Sequence, residues 1–407
     1  MSTMQSTTWT AELRRWLDES AHGAGFDVSG VAEVREPDDP VAAQEARRFA
    51  GFVDQGRAGE MEYLKRRDEA GTLVRSALQV AMPWARSVVV CALNYNADAP
   101  MSIDAAPQDA GWIARYAWSG RKLADGTLVP TDYHEELLGR LREIEAGLLA
   151  QAGCETRCYV DTGPMVERSL AVRAGVGWIG KNTCVLNQQL GSWLLLGVIV
   201  TSLPVEDEFA APDRCGSCTR CIDACPTGAL LGSKQPGAPR QMDASRCIAY
   251  LTIEKKGAID PSLRAPMGRQ VFGCDICQDV CPWNRKPSSI TPGAPSIAHV
   301  AMGGSSPGAS SIPRSVRNGW ESMQPRPELI NPALDWLAAM DTQEFKHHFK
   351  GSPLARTGRK RLLRNVAIAM GNSGNARFLP QLEAWAAGDD PVLADAAQWA
   401  RQRLLAL

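Results

Sequence analysis

The sequence has almost no net charge: 44 Lys and Arg stand against 45 Asp and Glu, leaving −1 over 407 residues. No global field steers an anionic polymer here, so any nucleic-acid surface must be local. Long apolar runs are missing too. The longest, Trp193–Val200 (WLLLGVIV), falls far short of the ~18–20 residues that span a bilayer. The opening residues, MSTMQSTTWTAELRRW, contain no apolar core followed by a small-residue cleavage site. The expectation is a cytoplasmic protein without membrane attachment. Walker and dinucleotide-binding glycine patterns are also absent. Hydrophobic residues make up 44% and charged residues 22%, which excludes a disordered or fibrous chain. At roughly 100–200 residues per domain, this length holds two or three.

Cysteine is scarce overall, yet eight of the twelve fall between Cys215 and Cys281. In a reducing compartment such a cluster holds metal more often than disulfides. The first run is Cys215-x2-Cys218-x2-Cys221-x3-Cys225-Pro226, the bacterial ferredoxin spacing for a [4Fe–4S] cluster, in which the fourth cysteine ligates the other cluster. The partner run is Cys274-x2-Cys277-x3-Cys281-Pro282, with Cys247 standing alone upstream as the natural replacement for its missing member. Cluster one is assigned to Cys215, Cys218, Cys221 and Cys281, and cluster two to Cys225, Cys247, Cys274 and Cys277. Two structural zinc sites also use CxxC pairs. Zinc does not explain a third cysteine after x2, nor the paired x3-Cys-Pro endings. Two clusters in one small segment pass single electrons and imply something to reduce. Cys91, Cys154, Cys158 and Cys184 have no ligand spacing and read as small packing residues.

Around this segment the periodicity gives an α+β chain. Residues 9–22 carry Trp9, Leu13, Trp16 and Leu17 on one helical face, and Asp132–Ala152 has an apolar stripe of the same kind. Ser87–Tyr95, Cys158–Val160 and Ser192–Val200 read as strands. Residues 1–210 form a first domain and 211–285 the cysteine-rich one. Residues 286–330, rich in Ser, Pro and Gly, read as a linker or inserted loop. Residues 331–407 return to helices, over Ala333–Met340, Arg359–Met370, Phe378–Ala386 and Pro391–Leu405. Paired helices of this kind resemble a single HEAT-like repeat, which must pack on the rest of the protein to bury its face.

Asp161 follows a short β-rich stretch and precedes Thr162-Gly163-Pro164, where a strand ends and the chain turns. Two readings stand side by side. It caps the next helix, or it faces a pocket, partly dry, with a raised pKa suited to donating a proton. Gly175, Gly177 and Gly180 bracket Trp178 ahead of Lys181 and Asn182, a turn that lets backbone approach a ligand.

Taken together, VDTGPMVERSLAVRAGVGWIGKN, CGSCTRCIDACPTGAL, RCIAYLTIEKKGAI, GCDICQDVCPWN and LLRNVAIAMGNSG resemble the epoxyqueuosine reductase family, from about Gly59 to the C-terminus. The resemblance implies a nitroreductase-like cobalamin-binding domain, a ferredoxin-like domain with two [4Fe–4S] clusters and a C-terminal α-helical HEAT-like region that helps hold tRNA. It implies an oxidoreductase, a monomer, that reduces epoxyqueuosine at the tRNA wobble position to queuosine. Electrons would come from an external flavodoxin- or ferredoxin-type donor, through the clusters, to cobalamin. The family's catalytic acid maps onto Asp161, which protonation of an oxyanion requires to be buried with a raised pKa. Trp178, Gly180, Lys181 and Asn182, with Tyr116 and Trp118 of the ARYAW stretch, look like cobalamin contacts, as does Asp161. The chain departs from the family where Ala117-Trp118 is separated from Asp132-Tyr133-His134 by SGRKLADGTLVPT. Reductive dehalogenases share the cofactor logic but use a Tyr acid and usually carry an export signal, so they stand as the alternative. For RNA, the densest basic run is Lys346–Arg364. Its Lys346, Lys350, Arg356, Arg359, Lys360, Arg361 and Arg364, with no acid between them, are the expected phosphate contacts.

Overall fold

The computed structural model describes residues 8–205, 210–233, 235, 238, 240–284 and 322–406. Thr10 caps helix α1 (Ala11–Gly23) by accepting from the Leu13 N–H, and α1 presents Leu13, Leu17 and Ala21 to the core. Trp9 lies just outside the helix but is buried, its indole N–H donating to Ser87 Oγ at 2.9 Å. Helix α2 (Pro40–Asp54) buries no residue fully, and its Phe49 and Phe52 rings stack with centroids 6.5 Å apart.

Four antiparallel strands form the main sheet: β1 (Val28–Glu33), β2 (Ser87–Asn94), β3 (Thr156–Tyr159) and β4 (Leu194–Thr201), in the order β1-β2-β4-β3. Both faces are covered. Along β2, Val89, Cys91 and Leu93 pack with α1 and helix α3 (Tyr133–Ala152), while Val88, Val90 and Ala92 pack with helix α4 (Glu167–Arg173). Alternation between two dry faces is why these strands read as unbroken apolar runs. Cys91 is a core residue, with Cys154 and Cys158 packed against that core. These three are the packing cysteines the sequence suggests.

Residues 119–131, which interrupt the family pattern, fold outward as a hairpin of Ser119–Lys122 and Leu128–Pro130. Its base is pinned: Ser119 Oγ donates to the Thr131 carbonyl at 2.9 Å, and Thr131 Oγ1 to that of Ser322 at 2.6 Å. The two ends of the insertion therefore meet, and Tyr116 and Tyr133 pack edge to face with ring centroids 5.9 Å apart.

Most of the expected linker, 286–330, lies outside the described residues. Its last part, 322–330, is not linker. Gln324–Pro325 adds a third strand to the hairpin, and Met323, Arg326 and Leu329 are buried. The C-terminal helices are Leu334–Ala339, α5 (Thr342–Phe349), α6 (Leu354–Ser373), α7 (Leu379–Ala386) and α8 (Pro391–Leu405). The expected start at Arg359 marks where α6 resumes after Gly358, whose φ of 74° kinks it. These helices have no separate core. Leu362, Val366 and Met370 share one apolar cluster with Ile248, Leu251 and Phe272 of the cysteine-rich segment and with Trp112 and Ile113. The helical region thus buries its face against the rest of the chain, as the sequence requires.

Candidate active site

A cavity of about 1280 Å³ runs between the main sheet, the cysteine-rich segment and α6. Cys225, Cys247, Cys274 and Cys277 line it, together with Asp161, His134, Tyr133 and Tyr116. Beside it a smaller cavity of about 280 Å³ is lined by Cys215, Cys218, Cys221 and Cys281. The quartets are those assigned from spacing, one thiol of each run crossing to the other set. Among the described residues no three His, Cys, Asp or Glu side chains close on a single ion. Thiols ringing a cavity are what a cubane needs, since each binds a different iron. Cys184 is a correction: it lines the large cavity and hydrogen-bonds Cys277.

Asp161 sits just past β3 in the left-handed region, at φ 57°. Asp tolerates that region better than most residues, but a non-glycine residue there still costs on the order of 1–3 kcal/mol, the kind of strain that gathers at functional sites. The expectation of a buried Asp161 with a raised pKa is overturned. Its side chain is 69% exposed, facing the water-accessible cavity. Desolvation by the cavity walls pushes its pKa up, but hydrogen bonding and charge from His134, helped by Arg168, hold it below the usual carboxylate value. Nor does Asp161 cap a helix: Val166 precedes α4 and makes no side-chain cap. Tyr133 donates its hydroxyl to Asp161 Oδ2 at 3.2 Å, and His134 Nε2 lies 3.8 Å from the same oxygen.

Asp132 is the residue that builds this corner. It caps α3, accepting from the His134 N–H at 3.0 Å and lying 2.6 Å from His134 Nδ1. Arg356, from α6, donates to Asp132 Oδ2 at 3.0 Å and lies 2.9 Å from His134 Nε2. Asp132-Tyr133-His134 was legible as a motif interrupted by an insertion; its contact with Asp161 needed the fold. Glu167 was not anticipated. Burial, with Asp161 nearby, raises its carboxyl to about 7, and its Oε1 has no partner although it lines the cavity.

Several expected cofactor contacts lie elsewhere. Trp118 is core: it is 1% exposed, packs edge to face on Trp112 and donates to the Ile113 carbonyl. Trp178 packs edge to face on Trp283, which lines the smaller cavity, and shares an apolar cluster with Cys281. Lys181 also lines that cavity, donating to the Gly216 carbonyl at 2.8 Å. Gly177 and Gly180 serve the hairpin Trp178–Ile179/Val185–Leu186 rather than a ligand. A Cβ on Gly177 would lie 2.0 Å from the Leu186 carbonyl oxygen, and one on Gly180 2.1 Å from Leu186 Cδ1. Tyr116 and Asn182 do line the large cavity, Asn182 lining both, with an unpartnered Nδ2.

The basic stretch divides in the same way. Arg364 is 1% exposed and donates to the carbonyls of Leu251, Lys255 and Gly257, so it cannot meet a phosphate. Arg359 is tied to the Met340 carbonyl and Arg361 to that of Ile253. Lys346, Lys350, Arg356 and Lys360 are exposed, Lys360 pairing with Asp390 at 3.4 Å. Among the described residues no helix is long and apolar enough to cross a membrane.

A family model for epoxyqueuosine reductase QueG, DUF1730, matches residues 75–162, and one for a 4Fe-4S double cluster binding domain matches residues 214–284. An epoxyqueuosine reductase of Xanthomonas campestris is 32% identical over 93% of this chain and 93% of its own length. That of Escherichia coli is 32% identical over 92% of this chain and 85% of its own. A crystal structure of epoxyqueuosine reductase with a tRNA-Tyr epoxyqueuosine-modified tRNA stem loop is 30% identical, with a TM-score of 0.73, covering 97% of this chain and 90% of that one.

Proposed function

We propose, because this chain belongs to the epoxyqueuosine reductase family, that it reduces the epoxide of epoxyqueuosine in a tRNA anticodon loop, giving queuosine. The family assignment sets aside the reductive dehalogenase alternative. One observation carries the reading: the cluster-two thiols and the Asp161 corner line one and the same cavity. Opening the epoxide to an alkene consumes two electrons and two protons and releases one water. The cavity brings an electron supply and a proton donor together in its lining.

The cavity residues fit cobalamin. About 1280 Å³ exceeds the ~300–1,000 Å³ of an ordinary small-molecule pocket. Its walls also keep Glu167 Oε1 and Asn182 Nδ2 without partners, ready for a polar ligand. When bound, cobalamin supplies the low-potential centre that passes electrons to the substrate carbon. Tyr116, Asn182 and Glu167 would hold it. Tyr133 and His134 orient Asp161, which gives its proton to the developing alkoxide. The main sheet with its helices is then the nitroreductase-like, cobalamin-binding unit, and the C-terminal helices the HEAT-like one. An external one-electron donor of flavodoxin or ferredoxin type feeds cluster one. Anaerobically prepared protein should carry about eight irons and one cobalt per chain; iron without cobalt would reduce it to an electron carrier.

Lys346, Lys350, Arg356 and Lys360 form the RNA-facing surface. Neutralising Lys346, Lys350 and Lys360 together should weaken stem-loop binding and flatten the log Kd against log salt slope by about 2, at ~0.7 per single-stranded phosphate. Fluorescence anisotropy across a salt series measures it, and an unchanged slope removes these lysines from the interface.

A further inference from the structure

His134 has no assigned part in the reaction beyond orienting Asp161, yet its surroundings give it one. Arg356 is a donor only, so the 2.9 Å contact makes His134 Nε2 an acceptor and leaves Nδ1 to donate to Asp132. With Arg356 in that place Nε2 offers a lone pair and has no proton to pass on. Asp161 Oδ2 lies 3.8 Å from the same Nε2, a gap that a small turn of the ring closes. Arg356 has half its side chain, 52%, in solvent, so it can leave. It also belongs to the basic surface.

We propose that His134 is the proton-relay residue behind Asp161 and that Arg356 gates it. When an RNA phosphate draws the Arg356 guanidinium away, Nε2 takes a proton from solvent. It passes that proton to Asp161 Oδ2, which hands it to the substrate oxygen, and a second proton follows by the same route. Each turnover then delivers two protons through one carboxyl, while the two electrons come from the clusters. The proposal rests on the reading of Arg356 as an RNA contact.

The groups facing His134 are Asp132 and Tyr133 on its own turn, Asp161 across the cavity and Arg356 from α6. Arg168 and Glu167 of α4 and Glu254 act on Asp161 from farther round the wall. Partial burial lowers the affinity of His134 for a proton, but its hydrogen bond to Asp132 and the nearby Asp161 carboxylate outweigh that and raise its pKa, with Arg356 opposing. As a positioning residue, His134 should therefore remain proton-loaded to higher pH once Arg356 is gone.

Imidazole C2 hydrogen exchange, read by mass spectrometry across pH on the RNA-free holoenzyme, gives the His134 pKa directly. Arg356→Ala should raise it, and Asp161→Asn should lower it, each by about 0.5–1 unit. Saturating stem-loop RNA should raise the wild-type value as Arg356→Ala does and add nothing in that variant. His134→Gln should keep iron, cobalamin and RNA affinity while kcat falls by about 10²-fold at neutral pH. The loss should shrink as pH falls and solvent protonates an Asp161 no longer held down by His134. A His134 pKa unmoved by Arg356→Ala and by Asp161→Asn overturns the proposal, as does a His134→Gln profile parallel to wild type. If RNA fails to bind, the reading of the basic surface falls, and the two RNA-free arms still decide the relay.

Discussion

Asp161→Asn should leave about eight irons, the cobalamin content and the RNA affinity in place while kcat drops by about 10²–10⁴-fold. The side chains are near-isosteric, and Asn is as much at home as Asp at the φ of 57° this position requires. What Asn cannot do is give up and regain a proton. Wild-type activity should be retained at low pH and lost as pH rises through the raised pKa of His134, because above it His134 has no proton to hand to Asp161. The variant should be flat over that range. An Asp161→Asn enzyme with wild-type kcat would move the proton donor elsewhere in the cavity. Glu167, held at about 7, would be the first place to look.

The second large effect concerns the crossing of the two cysteine runs. Cys281 lies in the second run but rings the smaller cavity with Cys215, Cys218 and Cys221. Cys281→Ser should therefore cost cluster one, taking iron from about eight to about four per chain, and Cys225→Ser should cost cluster two. Either breaks the electron path, so turnover should fall to background even though Asp161 and its partners are intact. Cys184→Ser should keep all the iron, since Cys184 belongs to neither quartet. Iron analysis with electron paramagnetic resonance of the reduced protein separates the two clusters. If Cys281→Ser instead removes the cluster held by Cys274 and Cys277, each run binds its own cluster and the crossed assignment fails.

The grouping of the cysteines around two cavities could be read from the sequence because covalent spacing carries the information: a cysteine two residues from another has few places to go. The same holds for α3 and α8, whose capping Asp132 and Asp390 stand in the sequence where the helices begin. Much of the site could not be read that way. Trp118 and Trp178 look like ligand contacts because the family resemblance places them there, yet burial sends both into apolar clusters. Arg364 continues a run of surface cations, but its register on α6 turns it inward onto three backbone carbonyls. The state of Asp161 depended on His134, 27 positions upstream at the start of α3, and no local pattern shows that contact. Helix α2 escaped notice because it buries nothing fully, its residues forming part of the cavity wall.

The central claim is tested most directly by single-turnover reduction. Anaerobic holoenzyme, chemically reduced, is mixed with an anticodon stem-loop carrying epoxyqueuosine, and the nucleosides are digested and weighed by mass spectrometry. Conversion to queuosine with loss of one oxygen atom is expected in wild type and not in Asp161→Asn. Unchanged epoxyqueuosine after reaction with wild-type protein that holds both clusters and cobalamin, and that binds the stem-loop, would contradict it.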